Sequence, residues 1–213
     1  KTNLVDIGSG LGRIVLYTAL TRGKSGKEEE ENWNISGIEI ISGLHDKALQ
    51  LVQTGIETGL FCSSTTTATT TTTTADNSNT GTGPHNNDDC NSFSFHLGSF
   101  IENNDSKETI TTSTTTTIQK VLNEADLIFM YSTAFTATQF NPDPDVCALL
   151  LDGKEWSQPL SELCQNGCIV ITTDKALDPY YGWKIIDRIE NVPNPEVLDL
   201  SLIHISEPTR PTR

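Results

Sequence analysis

Strand, glycine-rich bend and helix follow one another without a break at the start of this chain, and few folds accommodate that order. The stretch reads KTNLVDIGSGLGRIVLYTAL. Asn3 to Ile7 is a short apolar run carrying one acid, Asp6. Gly8, Ser9, Gly10, Leu11 and Gly12 follow directly, and an apolar helical pattern opens at Ile14, Val15 and Tyr17. A glycine has no Cβ, so it enters positive φ at little cost and lets the backbone come close to a ligand. The amides at the start of the helix then face that ligand. This is the architecture of a nucleotide-type site on an α/β sheet.

The spacing narrows the ligand class. A dinucleotide fingerprint reads G-x-G-x-x-G, and its third glycine allows close helix–strand packing. Here Arg13 stands where that glycine would fall, which argues against a pyrophosphate cofactor. The pattern D-x-G-x-G-x-G, from Asp6 to Gly12, resembles motif I of the class I S-adenosylmethionine (AdoMet) methyltransferases. The resemblance implies that Gly8, Ser9, Gly10 and Gly12 wrap the amino-acid end of AdoMet while Asp6 helps to hold it. A glycine turn in some other α/β domain is the alternative.

The remaining pattern fits a doubly wound, mostly parallel α/β sheet. Ile35 to Ile40 reads as a second strand with Glu39 at its end. In such a sheet the second strand lies beside the first, so Glu39 points into the same crevice as the glycine bend. The resemblance implies that Glu39 accepts hydrogen bonds from the AdoMet ribose; the alternative is a surface glutamate. Leu44, Ala48, Leu51, Val52 and Ile56 recur at helical spacing before Gly59, with His45 expected at the surface. Ser92 to Leu97 alternates as a third strand and leads to Gly98, Ser99 and Phe100. Many methyltransferases carry an acid near the adenine where this chain has Ser99. Phe100 is expected to stack on adenine or to pack in the core. Ile118 to Asn123 reads as a short helix, and Ala125 to Met130 as a fourth strand, apolar throughout. Asp143 to Gln165 reads as a helix interrupted near Gly153. Cys168 to Thr173 and Trp183 to Val192 read as the fifth and sixth strands.

Two tracts interrupt this pattern. Residues 63–91 and 104–117 are rich in threonine and lack an apolar face that could offset the entropy of ordering them. Both are expected to be looped-out insertions. Leu200 to Arg213, LSLIHISEPTRPTR, resembles a translated sequencing-library adapter, so the native domain is expected to span residues 1–199 and to lack a seventh strand. With no initiator methionine either, the chain is expected to be cut at both ends.

At 213 residues the chain suits one domain, and its net charge is −14. Setting the tail aside removes Arg210, Arg213 and Glu207 and leaves −15. A surface so acidic is a poor nucleic-acid binder and suits a basic protein partner. No apolar run is long enough to span a membrane. The five cysteines, Cys62, Cys90, Cys147, Cys164 and Cys168, include no C-x-x-C pair. They are read as reduced thiols of an intracellular protein. A metal site of Cys164, Cys168 and His96 has no support from spacing.

Several segments in order, VDIGSGLGRIVL, GIEIISGLHDKA, LGSF, ADLIFMYSTAF and GCIVITTDKAL, resemble a narrower family. It is the disruptor-of-telomeric-silencing (non-SET) histone-lysine methyltransferase family, and the likeness runs from about Leu4 to Val192. It implies AdoMet as cofactor, a histone lysine in nucleosomes as acceptor, and a nuclear location. It also implies that Tyr131, Ser132, Thr133 and Phe135, leaving the fourth strand, face the transferable methyl. The family usually has an asparagine where Tyr131 stands. The other readings are a class I methyltransferase acting on a small molecule or another protein, and an inactive AdoMet-binding module.

Overall fold

A computed structural model describes residues 1–22, 33–61, 66–69, 92–100, 112–140, 149–192 and 201–208. Strand β1 (Thr2–Ile7) runs into helix α1 (Arg13–Arg22), then β2 (Trp33–Glu39) into α2 (Ser42–Glu57). After these come β3 (Thr66–Thr69), β4 (Ser92–Leu97), α3 (Thr112–Asn123) and β5 (Leu127–Met130). The remainder is β6 (Ala137–Phe140), β7 (Leu149–Leu151), α4 (Gln158–Leu163), β8 (Ile169–Thr173), β9 (Lys175–Ala176), β10 (Trp183–Val192) and β11 (Ser201–Pro208).

The main sheet has the order β10-β11-β8-β5-β1-β2-β4-β3. β1 pairs in parallel with β2 on one side and with β5 on the other. Chain order therefore reverses at β1, and the crevice beyond the carboxyl ends of β1, β2 and β5 is where such sheets bind ligands. β11 runs antiparallel to both of its neighbours, β10 and β8. The fold expected from the sequence, a doubly wound and mostly parallel α/β sheet, is the one found.

Side-chain alternation along the strands sends two sets of residues to opposite faces. Leu4, Ile35, Phe93 and Phe95 pack under Val15 of α1 and Ala48 and Val52 of α2. Val5, Ile7, Ile38, Ile128 and Met130 pack under Ile118 and Leu122 of α3 and Leu160 of α4. The two layers hold the central strands on both faces, so the strand ends, and whatever they carry, are fixed in place.

Four expectations are corrected. The first threonine tract contributes a strand: β3 pairs in parallel with β4 at the sheet edge, Thr66 opposite Phe93. An edge needs only backbone hydrogen bonds on one side, which β-branched threonine supplies as well as any residue. The rest of that tract lies outside the described residues. The second tract is helical from Thr112, because Ile118 and Leu122 dock completely and the helix propagates backward from that anchor. The helix expected from Asp143 is a short strand, β7, in a second sheet of order β6-β7-β9, followed by a turn of π-helix at Gly153–Ser157 and then α4. Residues 141–148 lie outside the described set, as does the charged segment 23–32. Finally, a seventh strand is present. Ser201–Pro208, at the start of the adapter-like tail, forms β11 between β8 and β10.

Candidate functional site

The glycine bend sits where the sequence places it, past the end of β1. Gly8, Gly10 and Gly12 all have left-handed φ, at 74°, 56° and 75°. The reasons for glycine differ along the bend. A Cβ on Gly12 would lie 2.5 Å from the Phe95 ring, so that glycine is required by packing. A Cβ on Gly10 would meet nothing within 4 Å; the space beside it is open, as a ligand-facing position requires. The amides of Gly8 and Ser9 both donate to the Ile38 carbonyl of β2, at 2.9 and 3.0 Å, which binds the bend to the neighbouring strand.

Glu39 completes this corner. Its Oε2 accepts from the Gly10 amide at 2.7 Å, and its Oε1 accepts from the amides of Ile40 and Ile41 at 2.9 and 2.8 Å. It is 5% exposed. Asp6, on the central strand, is 3% exposed. Burial, and then the neighbouring Glu39 charge, push the Asp6 carboxyl up from 3.8 to about 7. Two acids and an open glycine therefore meet at the carboxyl ends of adjacent strands. Such a pair is strained in the absence of positive charge and receptive to a cation.

His45 was expected at the surface and is buried, on the same stripe of α2 as Ala48 and Val52. It is 1% exposed, and neither ring nitrogen has a hydrogen-bond partner among the described residues. Desolvation lowers its pKa, opposed by the charges of Asp46 and Glu39. Ser9 Oγ is likewise buried, with no hydrogen-bond partner among the described residues. The burial of His45 is not reached from the apolar spacing alone, because α2 brings it inward only through the register of its whole stripe.

The residues leaving β4 and β5 divide. Ser99 and Phe100 line a small cavity with Ile7, Gly8, Ile38, Ile40, Gly98, Phe135 and Trp156. Its volume is about 60 Å³. Phe100 is also part of the core cluster. Phe135 reaches the bend: its ring lies 3.1 Å from where a Cβ on Gly8 would be, and it stacks on Trp156 at 4.2 Å between centroids and 14° between planes. Tyr131 is 57% exposed at the crevice mouth. Thr133 is exposed, its hydroxyl donating to the Asp174 carboxylate. Ser132 is turned the other way, fully buried, with its hydroxyl donating to the carbonyls of Thr173 and Lys175. The structure thus brings Asp6, Gly8, Gly10, Gly12, Glu39, Ser99, Phe100 and Phe135 around one corner, with Ser9 buried beneath, and leaves Ser132 out.

A larger cavity, about 220 Å³, lies at the opposite edge, between the starts of β1, β2 and β4. Asn3, Asn34, Ser36, Ser94 and His96 line it, and Ser36, Ser94 and His96 are linked at 3.0 Å each. It is remote from the bend. Cys164 and Cys168 are buried and form no disulfide among the described residues; Cys62, Cys90 and Cys147 lie outside the described residues. Among the described residues no three His, Cys, Asp or Glu side chains are grouped to hold a metal ion.

No family model matches the chain, and no curated protein matches it. Solved structures do. An RNA methyltransferase from Salinibacter ruber, in complex with S-adenosyl-L-homocysteine, is 17% identical over 99% of this chain and 84% of its own, with a TM-score of 0.48. An S-adenosylmethionine-dependent methyltransferase from Clostridium acetobutylicum is 8% identical over 98% of this chain and 85% of its own, with a TM-score of 0.47. The chain has a Rossmann-like, doubly wound and mostly parallel sheet. That statement rests on the strand order, the switch point at β1 and the antiparallel β11.

Proposed function

We propose that the chain is an S-adenosylmethionine-dependent methyltransferase and that its acceptor is a protein lysine, a histone lysine in the nucleosome first among them. The observation that carries the cofactor is the contact between Gly10 N and Glu39 Oε2. It joins an open backbone bend to a buried carboxylate across two adjacent strand ends. The residues present fit the cofactor: space is open beside Gly10, and two acids stand where a cationic ligand would relieve their repulsion. S-adenosylmethionine supplies, when bound, an electrophilic methyl group on a sulfonium.

The chain's own residues would do the rest. Asp6 and Glu39 hold the positively charged and diol-bearing parts. Phe100, Phe135 and Trp156 exclude water beside Gly8. An aromatic wall of this kind disfavours an ammonium and so keeps an incoming amine neutral and nucleophilic. Tyr131, exposed at the mouth, offers a hydroxyl to that amine where the resembling family has an amide. The lysine acceptor and a nuclear setting are supported by the ordered motifs VDIGSGLG, ADLIFMYSTAF and GCIVITTDKAL. The acidic charge of −14 is compatible with a basic partner.

Calorimetry with S-adenosylmethionine tests the cofactor: we expect saturable binding to the wild type and none to Gly10→Arg or Asp6→Ala. Equal binding by all three would refute it. Transfer of a radiolabelled methyl group to nucleosomes tests the acceptor. Label appearing only in a metabolite extract would replace the lysine with a small molecule. Binding without any transfer, with turnover gained in Tyr131→Asn, would make the chain an inactive binding module.

A further inference from the structure

Lys175 lies beyond the set of site residues read from the sequence, yet it grips the loop that delivers two of them. Its Nζ donates to the carbonyls of Thr133 and Phe135, each at 2.6 Å. The same loop is held from the other side. Ser132 Oγ donates to the carbonyls of Thr173 and Lys175, and Thr133 Oγ1 donates to the Asp174 carboxylate and lies 3.4 Å from Thr173 Oγ1. All these partners come from the corner between β8 and β9. At that corner Asp174 is the one described non-glycine residue with positive φ, at 60°. Aspartate enters this region more readily than most residues, but it still costs energy and persists only where surroundings hold it. The strained corner presents a carboxylate and an ammonium to successive residues of one loop.

The loop matters because of what it carries. Its last residue, Phe135, stands on Gly8 and stacks on Trp156, whose own edge meets Phe100 at 6.0 Å. The Trp156 indole N–H is buried with no hydrogen-bond partner among the described residues, so ring packing against Phe135 and Phe100 is what orients the indole. We infer that Lys175 is a positioning residue: by bonding the Thr133 and Phe135 carbonyls it fixes the Phe135–Trp156 stack over the glycine bend and sets how wide the methyl-transfer site opens. This rests on the methyltransferase reading. A charged donor to a carbonyl makes a stronger hydrogen bond than a neutral one. Losing two of them shifts the balance between stacked and released loop by roughly tenfold or more.

The test compares wild type, Lys175→Met and Lys175→Arg, each with and without Trp156→Phe. Acrylamide quenching of tryptophan fluorescence reads the stack, and steady-state kinetics with S-adenosylmethionine and nucleosomes read the site. We expect Lys175→Met to raise quenching, with the increase absent in the Trp156→Phe background. We expect its kcat to fall about tenfold or more, with the KM for S-adenosylmethionine changed less. Arginine, which can also reach two carbonyls, restores both. Quenching and kcat like wild type in Lys175→Met would overturn the inference. Should Lys175→Met not fold, Phe135→Leu serves instead: quenching must rise there too, and an unchanged value overturns it. If the wild type neither binds S-adenosylmethionine nor transfers methyl, the enzyme reading falls alone. The quenching comparison then still decides for or against Lys175.

Discussion

Asp6 is the residue whose chemistry reaches furthest. Its carboxyl is raised to about 7 because it is buried beside Glu39. The folded state therefore binds a proton that the unfolded chain releases above 3.8. Its contribution is fully present below the unfolded value and is lost as pH rises towards 7, at most about 1.4 kcal/mol per pH unit. His45 and His96 act in the opposite sense. Desolvation lowers both, so they cost stability as pH falls below 6.5. The difference between wild type and Asp6→Asn isolates the aspartate. In urea melts at pH 5 and pH 8, we expect the wild type to lose more stability on going to pH 8 than the variant does. Equal losses would show that Asp6 is not held protonated. The acids at this corner were legible in the sequence because each ends or precedes a recognisable strand end. Trp156 and Lys175 were not, because each acts through a backbone or ring contact made about 20 or 40 residues away along the chain.

Elements with their own apolar period were legible, and those shaped by neighbours were not. β2, β4, β5 and β8 were read within two or three residues, β5 and β8 as nearly continuous apolar runs and β4 by its alternation. α3 was cut short because threonines carry no apolar signal, and its first turns follow from the docking of Ile118 and Leu122. β7 and β9 are too short to show alternation and form only as members of the small second sheet, β7 between β6 and β9. β11 is the informative failure. The sheet needs a strand between the facing edges of β8 and β10, and Ser201–Pro208 fills that slot by backbone pairing on both sides. One of its side chains fits less well. Ser206 is fully buried, and its hydroxyl has no hydrogen-bond partner among the described residues. Removing an unsatisfied buried hydroxyl should stabilise. We expect Ser206→Ala to raise stability by about 1 kcal/mol in chemical denaturation. A loss of similar size would mean that the hydroxyl is bonded and that β11 is better matched to its slot.

Taken whole, the molecule is a sheet whose two helical layers fix the carboxyl ends of β1, β2, β4 and β5 at one edge. Every residue proposed to hold cofactor comes from those four ends. Threonine tracts stand on both sides of β4 in the chain, and Glu39 accepts from the Gly10 amide at 2.7 Å all the same. The account turns on that corner being a cofactor site. Gly8, Gly10 and Gly12 can be followed individually in an amide ¹H–¹⁵N spectrum during titration with S-adenosylmethionine. We expect the Gly10 cross-peak to shift progressively and saturate, with Gly8 moving as Phe135 gives way. Glycine cross-peaks that stay in place at saturating S-adenosylmethionine would contradict the account.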